Sequence, residues 1–176
     1  MTGSVEITEL SAAAVREAAG ELGEVLADCV AGGASVNFMS PYSVEDAADF
    51  FRSVADDVEA GTNVLLAARL DGRIVGTVQL GLVQTPNQPH RGDVKKLLVH
   101  RRARNKGIAA ALMQALESAA RARRRTLLVL DTATGGAAER LYARLGWQRT
   151  GVIPNFALWP DGRFCDTTVF WKAIEL

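Results

Sequence analysis

Two cysteines, Cys29 and Cys165, are all the thiols in 176 residues. They stand too far apart for a metal or redox spacing, so the sequence predicts two reduced thiols, no metal site and a cytoplasmic setting. An excess of charge of one sign is also missing, since 20 Lys and Arg balance 20 Asp and Glu. Without net positive charge a general nucleic-acid binder is disfavoured, and no nucleic-acid partner is expected. The opening MTGSVEITEL lacks the basic and then apolar regions of a signal peptide, and no apolar run is long enough to span a bilayer. No membrane partner is expected. Two nucleotide signatures fail as well. The turn around Gly107 lacks the second and third glycines of the dinucleotide fingerprint, and Lys106 precedes Gly107 instead of following it as in a Walker loop.

What is present fits one globular domain over residues 1–176, with 48% apolar and 23% charged residues. That length suffices for one substantial core and is short for two. The organising stretch runs from Asp93 to Ala122: an alternating apolar run DVKKLLVH, a basic turn RRARNKGIA, and an Ala/Leu-rich helical pattern. Strand, turn and helix follow from this order. Gly107 opens the helix, where unpartnered backbone N–H groups and the positive end of the helix dipole favour phosphate oxygens. A residue without a side chain allows close approach to that backbone. Arg101, Arg102, Arg104 and Lys106 add positive charge around the turn. A pyrophosphate site is expected there.

Arg104, Gly107 and Ala109 match the spacing R-x-x-G-x-A, which resembles the GNAT acyl-CoA-dependent N-acetyltransferases. The strand TLLVLD follows, then AAERLYARLGW with Tyr142 and the trio Leu145, Gly146 and Trp147, in the order such proteins use. VAGGASVNFM (Val30 to Met39), DVKKLLV and the C-terminal run around PDGR (Pro160 to Arg163) look more narrowly like the tabtoxin resistance protein branch. The resemblance implies an α/β (α+β) fold with a central mixed, largely antiparallel twisted sheet flanked by helices. It also implies acetyl-CoA as cosubstrate and no metal. The pantetheine arm would enter a gap between the Asp93–His100 and Thr126–Asp131 strands.

Around these motifs the remaining elements can be placed. Val5 to Leu10 reads as a strand, and Ser11 caps a helix to about Val30 that Gly32-Gly33 stops. After the loop SVNFMSPYS, Ser43 precedes a helix from Val44 to about Ala60. Asn63 to Leu70 and Arg73 to Gln84 form a hairpin through Asp71-Gly72. Arg121 and Arg123 to Arg125 close the helix after Gly107, which reads as a solvated face. Thr126 to Asp131 is a continuous apolar run suited to a covered strand. In the next helix Leu141 and Leu145 are expected in the buried stripe, with Tyr142 one position off it. Trp147 to about Leu158 and Phe164 to Ile174 complete the sheet, turning at Asp161-Gly162.

Amine acetylation needs a neutral nucleophile, a stabilised oxyanion and a proton for the departing thiolate. An alkyl amine with a pKa of roughly 10.4 costs about 4 to 5 kcal/mol to deprotonate at neutral pH. Asp93, opening the central strand, and Asp131, ending the neighbouring parallel strand, are the expected acid/base pair converging on the acceptor amine, though helix capping or loop hydrogen bonding competes with that role for Asp131. The shorter Asp93, where the resemblance would place Glu or another base, favours a water relay. His90 lies in a Pro-flanked loop and is expected to be exposed. The resemblance assigns acyl-CoA binding to Leu97, Leu98, Val99, Arg104, Asn105, Lys106, Gly107, Ile108 and Ala109. Within that set, the backbone N–H groups near Leu98 and Val99 would polarise the thioester carbonyl. Tyr142 would protonate the thiolate. Phe38, Met39 and Tyr42 are expected to line the acceptor pocket, though packing against the core competes with that role.

The leading expectation is transfer of acetyl to a primary amine of a small molecule, an amino-acid-like toxin or antibiotic by the branch resemblance, by direct attack in a ternary complex. Protein N-terminal acetylation and a non-catalytic acyl-CoA-binding regulator are the alternatives. A homodimer is in keeping with the family, but no segment marks an interface.

Overall fold

The computed structural model describes residues 4–176. Its chain order is β1 (Val5–Leu10), α1 (Ala12–Glu17), α2 (Ala19–Ala31), α3 (Val44–Glu59), β2 (Asn63–Leu70), β3 (Arg73–Leu82), β4 (Arg91–Val99), α4 (Ile108–Ala122), β5 (Leu127–Ala133), α5 (Ala137–Arg144), β6 (Gln148–Leu158) and β7 (Phe164–Ala173). One seven-stranded sheet has the order β1-β2-β3-β4-β5-β7-β6. Only β4 and β5 run parallel; every other neighbouring pair is antiparallel. This is the mixed, largely antiparallel sheet that the sequence resemblance implied.

Local chemistry sets the helix ends. Ser11 accepts a hydrogen bond from the Ala14 N–H at 3.2 Å and Ser43 one from Asp46 at 3.0 Å, so each satisfies one donor left over at a helix start. The expected helix from Ser11 to Val30 is two helices that meet at Ala18, whose ψ of 5 departs from helical values. Gly20, two residues on, is the one local signal near that break, and the apolar periodicity reads through it. The strand expected to reach Gln84 stops at Leu82.

Helices cover both faces of the sheet, and alternation within the strands feeds both layers. Val64, Leu66 and Ala68 pack with α4, whereas Leu65 and Ala67 pack with α2 and α3. On α4, Ile108, Leu112, Met113, Leu116, Ala119 and Ala120 form the buried stripe. Each large member contributes roughly 1.5–3 kcal/mol by leaving water. In α5 the buried residue is Tyr142, while Leu141 and Leu145 are half-buried. The expected stripe is therefore rotated by one position. Tyr142 stacks its ring edges toward Trp147 and Phe170, with centroids 5.9 and 5.8 Å away, and that aromatic cluster outcompetes the two leucines for the core.

Strand β4 carries a defect that matters for the site. Thr77 pairs with Leu98 and Gln79 with Lys95, so β4 holds one residue more than β3 between these points. Lys96 absorbs it with a left-handed φ of 52. Because side chains alternate, the extra residue reverses the facing of everything beyond it. Val94 packs on the α4 side, and Leu98, four residues on, packs on the α2–α3 side.

Candidate active site

β4 and β5 are hydrogen-bonded neighbours only over Arg91–Asp93 and Leu127–Val129. Past Asp93 they separate, and a cleft of about 970 Å³ opens between them, reaching the start of α4, the face of α5 and the end of β6. Gly92 sits in this last paired stretch, where a Cβ would come within 2.7 Å of Leu80 Cδ1 and 3.0 Å of Leu128 Cδ2. A side chain there would have to displace the ends of the Leu80 and Leu128 side chains.

At one end of the cleft the chain leaves β4 through a 3-10 turn, Arg101–Ala103, and enters α4 at Gly107 with φ 76. A Cβ at Gly107 would meet nothing within 4 Å, so glycine is needed for the left-handed backbone and leaves its outer side open. Ala111 is the first helical N–H bonded back to the turn, to the Gly107 carbonyl at 3.0 Å. The N–H groups of Ile108, Ala109 and Ala110 precede it at the positive end of a 15-residue helix. This donor set suits phosphate oxygens.

The surrounding cations are not equivalent. Arg101 is committed to Asp28, donating to its carboxylate through the guanidinium and the backbone N–H, the latter at 2.9 Å. Arg102 donates to the Ile74 carbonyl at 3.4 Å, and Arg104 Nε donates to the Val99 carbonyl at 3.2 Å. The expected ring of free positive charge is thus partly spent inside the protein. Arg104, Asn105, Gly107, Ile108 and Ala109 line the cleft, as do Leu97, Leu98 and Val99; Lys106 is exposed and lies outside the lining.

The Val99 carbonyl also receives the Cys29 thiol at 3.6 Å. His100 N–H pairs with Val75 of β3 at 2.8 Å, so alternation along the strand turns the Val99 amide toward the cleft and the Leu98 amide toward β3. Of the two backbone donors expected from sequence, Val99 is the one on the cleft edge.

Asp93 and Asp131 also line the cleft. Asp93 pairs with Val129, two residues before Asp131, and the period-two alternation puts both carboxylates on one face. Arg91 holds Asp93 Oδ1 at 2.7 Å, and Thr167 lies 2.8 Å from Asp131 Oδ2. Tyr142 is 5% exposed. Burial pushes its phenol far above the usual tyrosine range, with the Asp131 charge adding to the effect. It keeps its proton at any physiological pH. His90 is exposed in its loop, as the sequence suggested.

The acceptor residues named from sequence form a cluster beside the cleft. Phe38 stacks on Tyr42 with centroids 4.5 Å apart and meets Phe50 edge-on at 5.1 Å; Met39 points outward, 46% exposed. None of Phe38, Met39 and Tyr42 is among the residues lining the cleft, whereas Asn37, Phe156 and Trp159 are. Sequence reasoning also missed Lys96, which lines the cleft with its ammonium 5.4 Å from the Phe38 ring centre. Burial pulls that ammonium down to about 8, Lys95 adds to the drop, and Asp131 opposes it. The signal was one extra residue in a strand, which hydropathy does not reveal.

Among the described residues no group of three or more potential metal-binding side chains occurs, and no helix is long and apolar enough to cross a membrane. Solved structures that share the fold include three acetyltransferase-type proteins. An N-acetyltransferase from Staphylococcus aureus Mu50 is 17% identical with a TM-score of 0.80, covering 98% of this chain and 99% of its own. The ribosomal-protein-alanine N-acetyltransferase of Brucella melitensis is 20% identical with a TM-score of 0.77, over 96% and 99% of the two chains. The Salmonella typhimurium protein yncA, with its cofactor acetyl-CoA, is 16% identical with a TM-score of 0.79, over 98% and 95%. The model of the Acetyltransferase (GNAT) family matches residues 34–147, which span the parted strands, the Gly107 turn and the Tyr142 helix. The chain belongs to the GNAT acetyltransferase family.

Proposed function

We propose that the protein transfers the acetyl group of acetyl-CoA to a primary amine of a small molecule, by direct attack in a ternary complex. The observation that carries this reading is the cleft between β4 and β5, whose lining includes Asp93, Asp131, Tyr142 and the Gly107 turn. The first-turn amides of α4 and the open side of Gly107 fit the phosphates of CoA, and the Val99 N–H fits a thioester oxygen. When bound, acetyl-CoA supplies the activated acetyl group.

The residues of the chain divide the remaining work. Asp93 and Asp131 take up the proton of the incoming ammonium, with the short Asp93 acting through water. The Val99 N–H is a fixed donor to developing negative charge. Tyr142, held protonated, gives its proton to the departing sulfur and recovers one from the cleft. The likeness of Val30–Met39, DVKKLLV and the PDGR run to the tabtoxin resistance branch supports an amino-acid-like toxin or antibiotic as acceptor, and a cytoplasmic setting for the reaction.

Thiol release from acetyl-CoA, followed against small amines, amino-acid analogues and short peptides with a no-amine control, tests this. Amine-dependent release with a small-molecule preference is the expected result. Preference for peptides would replace it with N-terminal protein acetylation. Acetyl-CoA binding with no release above the control would leave a binding regulator.

A further inference from the structure

Lys96 stands out among the cleft residues because its charge is not answered. Its left-handed φ of 52 is uncommon for a residue with a side chain. The register step it creates is what brings the side chain to the cleft. Its ammonium rests over the faces of Phe38 and Phe50, 5.4 and 5.9 Å from their centres, and no carboxylate or carbonyl of the described residues lies within hydrogen-bonding reach. Aromatic faces attract a cation but leave its N–H donors unused. Asp131, whose charge does reach it, has Thr167 on one of its oxygens. The site thus holds two carboxylates and a half-buried cation that neither of them touches.

Resting on the proposed amine acetylation, we infer that Lys96 binds an acid group of the acceptor, so that the substrate class is an amine that also carries a carboxylate, phosphinate or similar anion. An anion here would receive N–H donors that the aromatic rings cannot use, and the acceptor's ammonium would fall toward Asp93 and Asp131. The acceptor is then read at both ends, as a zwitterion.

Equilibrium binding to the CoA-loaded protein separates this from turnover, because CoA has no acetyl group to give. The probes are L-methionine with 3-(methylthio)propylamine, and L-phenylalanine with 2-phenylethylamine, each pair differing only in the carboxylate. For at least one pair the amino acid is expected to bind roughly tenfold to hundredfold more tightly, the range of a charge-assisted hydrogen bond. K96M should abolish that preference, and K96R, which keeps the charge, should retain it. Unchanged CoA binding confirms that the variants are folded. No preference in either pair, failure of all four to bind, or a preference that survives in K96M would overturn the inference. The thiol-release assay stands apart, since turnover of uncharged amines alone would leave the transferase reading intact and remove this one.

Discussion

Thr167 Oγ1 lies 2.8 Å from Asp131 Oδ2 and 3.0 Å from the Thr132 carbonyl, so its single proton can serve only one of them at a time. Thr167 is itself buried on β7, fixed opposite Ala133 and Ile153 by the sheet register. A candidate base is thereby aimed by a neighbouring strand.

Thr167→Val keeps the shape and removes that hydroxyl. If Asp131 takes the proton of the acceptor, this variant should lower kcat by about three- to tenfold, the scale of one hydrogen bond, while Asp131→Asn lowers it further. Steady-state kinetics of both variants checks it. Full activity in Asp131→Asn would remove the carboxylate from the reaction.

Tyr142→Phe retains the aromatic cluster with Trp147 and Phe170 and deletes only the donor. A fall in kcat of about a hundredfold or more is expected, with acetyl-CoA affinity unchanged. Because Tyr142 titrates far above physiological pH, no loss of activity between pH 7 and 9 should trace to it. A matching fall in affinity would point to packing instead.

Gly107→Ala meets no neighbour, so its effect must come from the backbone. The left-handed φ of 76 should cost about 1 kcal/mol, seen in chemical denaturation. Relaxation of the turn should also weaken CoA binding. Arg104→Ala should weaken it too, more at low salt than at high, if the guanidinium meets phosphate. A salt-independent loss would mean that Arg104 acts only through the Val99 carbonyl it already holds.

Lys96 gives a pH-dependent stability of definite sign. Its folded value is pulled down to about 8 from 10.5, so the charged form is disfavoured on folding. Below pH 8 the penalty is present in full, and it fades as pH rises toward 10.5, where the unfolded chain also loses the proton. Lys96→Met should therefore stabilise the protein at pH 7. After discounting for solvent contact the gain is about 1 kcal/mol, or roughly 2–4 °C in Tm. The gap to the native chain should narrow between pH 8 and 10.5. A constant gap would assign the effect to packing.

Much of this architecture was legible because it rests on local chemistry. Serine caps mark two helix starts, and Asp71 and Gly72 carry the positive φ values, 51 and 80, that their pairing suggests. The Gly107 turn and the strand before it were legible for the same reason. What escaped depends on residues far apart in sequence. The arginines at the end of α4 look like a solvated face, yet Arg123 bonds Glu9 at 2.5 Å and Arg121 the Glu175 carbonyl at 2.8 Å. Phe38 and Tyr42 were expected to line an acceptor pocket; they stack on each other and, through Phe38, on Phe50, outside the lining of the cleft that Lys96 joins. The shift of Tyr142 into the core follows from Trp147 and Phe170, which periodicity within one helix cannot register.

The parting of β4 and β5 after three paired positions has a mechanical side. One half of the sheet, β1 to β4, meets the other, β5 to β7, along a short seam, so the cleft edges keep amide and carbonyl groups that a full ladder would have consumed. An extended arm with its own amides, lying in the gap, would act as the absent length of strand. Binding would then splice the two half-sheets as well as fill a pocket, and slowed hydrogen exchange should spread along both strand edges, beyond the atoms the ligand touches.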